Sequence, residues 1–225
     1  MDALLRRRAM IATGGSPTPP PPPTPTIVYH DRIRFDGTAY IQTDLVVPTN
    51  GSVRVSAGGE TRKGNQGIFN ATDGANVCFG IWMTTATGAT KRVYAHRYGT
   101  TTTDSTRVTI NNYTTRASLF LTPNRWGYST NPYNATAGTN VPTNGIRLGS
   151  VSQSYGYTGS LGYFYIYDSS AQNATDWADL RDNYTPVYTL RPCEYNGEVG
   201  YICVETGTFY GNSAGEGTLS YEDSE

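Results

Sequence analysis

From Ile27 onward the chain is an unbroken series of short segments in which apolar and polar residues alternate, separated by turn-forming residues. Alternation with a period of two is typical of β-strands with one buried face. Asp73-Gly74 and Asn196-Gly197 each lie between two such segments, and these dipeptides favour tight hairpin turns. The pattern predicts an all-β fold, a two-sheet antiparallel sandwich with an extended N-terminal tail. The predicted strands lie near residues 33–35, 40–43, 52–56, 66–70, 76–83, 91–97, 107–111, 117–121, 146–151, 161–167, 199–204 and 207–210.

One helical turn is expected, at 174–181. Asn173 or Thr175 is suited to cap its N-terminus. Asp176 and Asp179 are suited to its first turn, where a negative charge is favourable.

The composition excludes several classes of function. The 225 residues carry a formal net charge of -1, and only 16% are charged. A nucleic-acid-binding protein would carry a basic excess, so no nucleic-acid partner is expected. No apolar run approaches the roughly 20 residues that a bilayer requires, so no membrane partner is expected either.

The first 26 residues differ from the rest of the chain. Residues 1–11 combine apolar side chains with the only run of three arginines, and residues 12–26 form a Gly/Pro-rich linker. The proline run favours a stiff polyproline II spacer. The arginines follow the leucines, so the segment does not have the order of a secretory signal. We predict three parts: an anchor peptide at 1–11, the linker at 12–26, and the β-sandwich domain at 27–225. The predicted anchoring residues are Leu4, Leu5, Arg6, Arg7, Arg8 and Met10.

No catalytic motif is recognisable. The sequence contains no nucleophile elbow, phosphate-binding loop or zinc-protease motif. A glycoside hydrolase needs two positioned carboxylates, and the acidic C-terminal tail has the wrong spacing for such a pair. We therefore expect no enzymatic activity, no cofactor and no metal. The three cysteines are expected to be buried thiols, although Cys193 and Cys203 could pair across a hairpin.

Two regions of the chain, one near its start and one near its end, resemble a known family. The sequence 35–44, FDGTAYIQTD, resembles the opening of LamG-like, concanavalin-type jelly-roll domains. The segments 163–168 and 180–187 resemble a late strand and a following segment of that family. The segment 191–213, which ends in TGTFYGNS, resembles its closing motif, and the resemblance covers roughly residues 31–221. Such domains are common in virion proteins of tailed phages and in prophages of gut bacteria.

The resemblance and the tail together imply a virion structural protein, either a head fibre or a capsid decoration protein. Residues 1–11 would bind the capsid or another virion protein, and the domain would project outward. The expected location is the virion. Fibre-like proteins gain stability and avidity from bundling, so a homo-oligomer, specifically a trimer, is expected.

The alternative is a carbohydrate-binding adhesin or lectin of a tail fibre or a bacterial surface. LamG-like sandwiches often bind glycans through loop aromatics. The predicted glycan-binding residues are Trp126, Tyr128, Tyr133, Tyr155 and Tyr157.

The segment 161–167 offers a second possible surface. Alternation places Leu161, Tyr163, Tyr165 and Tyr167 on one face, with Phe164 and Ile166 on the other. One face should close the core. The tyrosine face could be a shallow binding surface, or it could be the ordinary outer face of a tyrosine-rich sheet.

Overall fold

The computed structural model describes residues 24–59, 66–74, 77–85, 91–97, 108–110, 117–128, 131–134, 138–150 and 156–223. Within them the chain is almost entirely β-structure. The described strands are β1 (Ile27–Tyr29), β2 (Arg32–Asp36), β3 (Ile41–Gln42), β4 (Ser52–Gly59), β5 (Gln66–Thr72), β6 (Val77–Thr85), β7 (Lys91–Arg97), β8 (Val108–Ile110), β9 (Ala117–Leu121), β10 (Arg125–Tyr128), β11 (Asn131–Asn134), β12 (Arg147–Leu148), β13 (Thr158–Tyr167), β14 (Tyr188–Tyr195), β15 (Glu198–Cys203), β16 (Phe209–Tyr210) and β17 (Leu219–Glu222).

The strands form two antiparallel sheets. The first has the order β11-β10-β9-β4-β13-β14-β15-β16, with β1 paired to β14 and β2 paired to both β13 and β17. The second has the order β3-β12-β5-β6-β7-β8. Every described pairing is antiparallel, which confirms the predicted two-sheet antiparallel jelly-roll sandwich. β1 begins at Ile27, where the sequence pattern changes, and the backbone of Thr26 is already hydrogen-bonded to Asn196.

The core lies between the two sheets. Phe69 from the second sheet meets Phe164 from the first edge to face, with ring centroids 5.0 Å apart. Phe35, Ile41 and Leu148 are also fully buried in the same cluster. Burying apolar surface in this way is the main stabilising contribution to such a sandwich.

The two predicted hairpins are present. β5 and β6 flank the Asp73-Gly74 turn, and β14 and β15 flank Asn196-Gly197. Asn196 and Gly197 have φ of 52° and 88°, the left-handed values that a type I′ turn requires at both central positions.

The predicted helical turn exists, but its limits were wrong. α1 spans Trp177–Asn183, and a 3₁₀ turn at Ser169–Ala171 precedes it. The N-cap is Asp176, whose carboxylate accepts a hydrogen bond from the backbone of Asp179. The prediction began the helix at 174 and placed Asp176 inside it. The extended backbone of Asp176 and its capping bond instead make Trp177 the first helical residue.

A β-bulge in β13 changes the predicted face of Leu161. The pairing of β13 with β4 shifts register between Leu161 and Phe164, so both side chains lie in the core. The Tyr201 hydroxyl donates to the carbonyls of Leu161 and Gly162, at 2.9 Å each. Burial raises the pKa of Tyr201, so this hydroxyl stays protonated as a donor at neutral pH. The strict alternation predicted for this strand was therefore wrong at Leu161.

Replacing Tyr201 with Phe should destabilise the protein by about 1–3 kcal/mol. The substitution keeps the ring but leaves the two bulge carbonyls without their buried donor. Urea denaturation followed by fluorescence measures the change in the free energy of unfolding. Tyr221→Phe is the matched control, because Tyr221 is exposed. Equal stability of both variants would contradict the structural role given to the Tyr201 hydroxyl.

The Asp36 carboxylate joins the first turn of the domain to its C-terminal segment. One oxygen accepts hydrogen bonds from the backbone of Thr38 and Ala39 at 2.8 and 2.9 Å, and the other accepts from Thr218 at 2.6 Å. Partial burial acts to raise the pKa of Asp36, but the backbone hydrogen bonds outweigh it and the pKa is lowered. The ionised carboxylate therefore stabilises the fold.

Asp36→Asn should lower the free energy of unfolding by about 1 kcal/mol at neutral pH. The new amide nitrogen and the Thr218 N–H would then be two donors facing each other. A lowered carboxyl pKa stabilises the folded state above the unfolded pKa, and this contribution is lost as the pH falls through the folded pKa. The difference in the free energy of unfolding between Asp36→Asn and the wild type should therefore shrink below about pH 4. Urea titrations at several pH values measure it, with Glu216→Gln as an exposed control of equal charge change. A difference that stays constant down to pH 2 would be inconsistent with this role.

Candidate functional site

The outer face of the first sheet carries polar and aromatic side chains where β4 and β13 lie side by side. Val53 and Val55 on β4 belong to the core, whereas Arg54 between them lies on the opposite face. Arg54 pairs in register with Tyr165 on β13. This period-two separation puts the predicted tyrosine face outside the sandwich.

α1 covers part of this outer face. A second apolar cluster consists of Phe120, Tyr167, Ala171, Ala174 and Leu180, with Tyr165, Trp177 and Tyr184 packed against it. Phe120 belongs to β9 and Tyr167 to β13, so the cluster fixes the helix across these strands. Trp177 and Arg181 of this helix line a cavity that Tyr163 also lines.

The cavity has a volume of about 410 Å³, within the ~300–1,000 Å³ typical of small-ligand sites. Its wall combines cationic, aromatic and hydroxyl groups. The lining residues are Asp31, Arg32, Arg54, Val55, Ser56, Gly162, Tyr163, Tyr165, Trp177 and Arg181. We call this the β4–β13 cavity.

Like Arg32, Arg54 is a charged residue of the β4–β13 cavity that is almost fully buried, with only 6% of it exposed. Its guanidinium carbon lies 4.0 Å from the centre of the Tyr165 ring and 4.7 Å from that of Trp177. Its Nε donates to the Tyr167 hydroxyl at 3.1 Å. Cation–π contacts of this kind offset part of the cost of burying a charge.

A further arginine, Arg191, extends this packing of guanidinium groups on aromatic rings. Arg191 lies over Tyr29 at 3.7 Å and over Tyr163 at 5.6 Å. Tyr163 and Tyr165 are nearly parallel, with centroids 6.0 Å apart. Because guanidinium groups and neighbouring rings flank these tyrosines, their faces are poorly placed to stack on a sugar. The site is better suited to hydrogen bonding than to the stacking expected from the sequence.

Burial and the charges in and near the cavity shift the pKa values of two tyrosines and of Asp182. Burial raises the pKa of Tyr165 and Tyr167, and the Arg54 charge opposes both shifts. Arg181 lies over the Trp177 ring at 5.1 Å and binds both carboxylate oxygens of Asp182, at 2.6 and 2.8 Å. This hydrogen bonding lowers the pKa of Asp182. Arg181 is thus neutralised locally by a carboxylate.

A second cavity, of about 460 Å³, lies on the other sheet and is mainly polar. Its lining residues are Gln42, Asn70, Thr72, Gly74, Asn144, Gly145 and Arg147. Many of these polar groups already bind each other. Arg147 Nε donates to the side-chain amide oxygen Oε1 of Gln42 at 3.0 Å, and Asn144 Nδ2 donates to the Thr72 hydroxyl at 2.8 Å. These internal bonds leave this cavity less suited to a ligand than the β4–β13 cavity.

The predicted glycan-binding aromatics are not gathered into one site. Trp126 and Tyr157 are both 0% exposed and belong to the main core, so a sugar cannot reach their ring faces. The prediction is corrected for these two residues. Tyr133 is half-buried, and its ring lies 5.3 Å from that of Trp126. Tyr155 and the side chain of Tyr128 lie outside the described residues.

Trp126→Ala should therefore destabilise the protein by about 3–5 kcal/mol, the usual cost of removing a large buried aromatic side chain. Trp126→Phe, which keeps most of the packing, should cost clearly less. Thermal and urea denaturation of both variants would measure this. A Trp126→Ala protein as stable as the wild type would contradict the core position of this residue.

The other predicted groups are placed as follows. Residues 1–11, with Leu4, Leu5, Arg6, Arg7, Arg8 and Met10, lie outside the described residues. Cys78, Cys193 and Cys203 are buried free thiols. Cys193 lies opposite Gly200, and Cys203 lies opposite Leu190, so the two do not pair across the hairpin.

The described part of the chain lacks two features. It contains no group of three or more His, Cys, Asp or Glu side chains arranged to hold a metal ion. None of its helices has the length and apolar character needed to span a bilayer.

No protein-family model matches the chain, and no curated protein matches its sequence. The solved structures that share its fold include a pentraxin and a bacterial protein. A native heptameric SAP-like pentraxin from Limulus polyphemus is 11% identical, with a TM-score of 0.50 over 81% of this chain and 94% of the pentraxin. A "putative carbohydrate binding protein" from Bacteroides ovatus is 12% identical, with a TM-score of 0.56 over 88% of this chain and 61% of that protein.

At these identities the likeness establishes the fold alone. The chain has the concanavalin-like jelly-roll architecture that the two structures share. It spans less than two thirds of the Bacteroides protein, which extends beyond the common region.

Proposed function

We propose that this protein is a carbohydrate-binding jelly-roll protein and that the β4–β13 cavity holds the sugar. The observation that carries the proposal is the wall of this cavity, where guanidinium groups, tyrosines, a tryptophan and the Ser56 hydroxyl surround an open space of about 410 Å³. Small-ligand sites commonly combine aromatic walls with a few polar groups. The fold shared with a protein described as carbohydrate-binding supports the proposal.

The proposed activity is binding rather than catalysis. Among the described residues that line the cavity, Asp31 is the one carboxylate, whereas glycoside hydrolysis ordinarily uses two. A single shallow site of this kind binds a sugar weakly. A Kd of about 1 mM corresponds to roughly -4 kcal/mol, so useful adhesion would depend on several copies acting together. This favours the predicted homo-oligomer, whereas the specific trimer stays a prediction.

The virion role also stays a prediction. It depends on the anchor and linker at 1–26, of which the structure describes only 24–26, and neither structural neighbour bears on a capsid partner. A carbohydrate-binding domain is compatible with that role, because a fibre on a particle could hold weakly to surface glycans.

A blocking substitution tests the proposed site. Ser56→Phe places a ring in the β4–β13 cavity. Ser118 lies directly opposite Ser56 on β9, outside the cavity lining, so Ser118→Phe is the matched control. We expect the wild-type protein, displayed as a multivalent conjugate on a glycan array, to bind a subset of glycans. Ser56→Phe should reduce the signal at least tenfold, and Ser118→Phe should retain it.

Thermal denaturation of both variants checks that they are folded. Absence of binding by the multivalent wild-type protein to any glycan would refute the proposed function. Equal loss of binding in both variants would refute the proposed location of the site.

A further inference from the structure

The charge of Arg54 is compensated incompletely by the protein. A guanidinium remains protonated at any ordinary pH, so it cannot escape burial by losing its proton. In the part of the chain that the structure describes, no carboxylate lies within ion-pair distance of Arg54, and its hydrogen bond goes to the neutral Tyr167 hydroxyl. Buried charges in proteins are normally paired or engaged by a ligand.

The electrostatic influence of Asp182 on Arg54 is weak. Hydrogen bonding to Arg181 is the main cause of the lowered pKa of Asp182, and the Arg54 charge contributes less to it. Both oxygens of Asp182 bind Arg181, and the Asp182 side chain is 54% exposed. Water screens such a carboxylate, so it does little for a charge buried under Trp177.

The geometry leaves one part of Arg54 available to a ligand. Nε is bound to the Tyr167 hydroxyl, and a side-chain hydrogen bond to Tyr165 opposes the rise in the pKa of that phenol. Both partners are neutral, and Arg54 lines the cavity. Tyr165 and Trp177 flank the guanidinium and restrict its orientation. A guanidinium held in this way presents parallel N–H donors, which match the two oxygens of a carboxylate or sulfate.

We propose that the β4–β13 cavity selects sugars that carry an anionic oxygen group, a carboxylate or a sulfate ester, and that Arg54 binds this group. This inference rests on the proposed carbohydrate-binding function. A neutral sugar can bond to the cavity's hydroxyl and guanidinium groups but leaves the buried charge uncompensated. An acidic sugar makes the same hydrogen bonds and neutralises Arg54.

Matched sugars test the inference. The array carries oligosaccharides of galactose and glucose in three forms: neutral, oxidised to the uronic acid, and 6-sulfated. We expect the multivalent wild-type protein to bind at least one anionic form about tenfold more strongly than its neutral counterpart. The preference should weaken when the salt concentration rises from 50 to 500 mM, because charge pairs are screened. Comparison of the uronic acid with the sulfate identifies which oxyanion is recognised.

Arg54→Gln should abolish the preference for the anionic form, so that the neutral and anionic sugars bind about equally. Arg34→Gln is the matched control, because Arg34 is an exposed arginine on β2 outside the cavity lining, and it should retain the preference. Arg54→Lys keeps the charge but loses the planar fork, so it should retain only part of the preference.

Three outcomes separate the explanations. No binding of any sugar, neutral or anionic, overturns the proposed function itself. Equal binding of neutral and anionic forms by the wild-type protein overturns the anionic selectivity while the proposed function stands. If Arg54→Gln does not fold, the assignment to Arg54 is tested by comparing the anionic preference of the wild type with that of Arg54→Lys. A preference that Arg54→Lys leaves intact, or that Arg34→Gln removes equally, overturns the assignment to Arg54.

Discussion

The register of β13 is the constraint on which both the core and the candidate site depend. Phe164 and Ile166 fill the space between the sheets, whereas Tyr163 and Tyr165, which alternate with them along the strand, line the outer cavity. Because successive side chains point to opposite faces, a slip by one residue would exchange the two sets. β13 pairs with β2, β4 and β14, which holds this register from both sides. The Phe69–Phe164 contact between the sheets then ties the position of the cavity wall to the packing of the core.

Arg54 joins the outer face of the sheet to α1. Its guanidinium lies between Tyr165 on β13 and Trp177 on the helix, so a charged group takes a place that an apolar side chain could fill. Replacing a buried ion by apolar residues of similar size is often neutral or stabilising. Stability alone therefore does not require an arginine here, whereas recognition of an anionic ligand would.

The sequence predicted most of the fold because its strongest signals are local. Asn196-Gly197 defines its turn through backbone conformations that these two residues adopt readily. β7 and β9 have the predicted limits, since alternation is read directly from neighbouring residues. Prediction was wrong where a distant contact intervened. Leu161 changes face at a bulge whose carbonyls bind Tyr201, 40 residues away, and α1 begins where Asp176 caps it.

The sequence by itself determined that the chain forms antiparallel sheets, because turn chemistry and period-two alternation act over a few residues. Only the tertiary structure decided which aromatic side chains are accessible. Trp126 and Tyr157 resemble loop aromatics in the sequence but are buried in the core, whereas Tyr163 and Trp177 line the cavity. Arg54 showed no signal in the sequence, because its hydrogen-bond partner Tyr167 is 113 positions away. Burial and charge compensation depend on which strands become neighbours, and that is set by the packing of the whole sandwich.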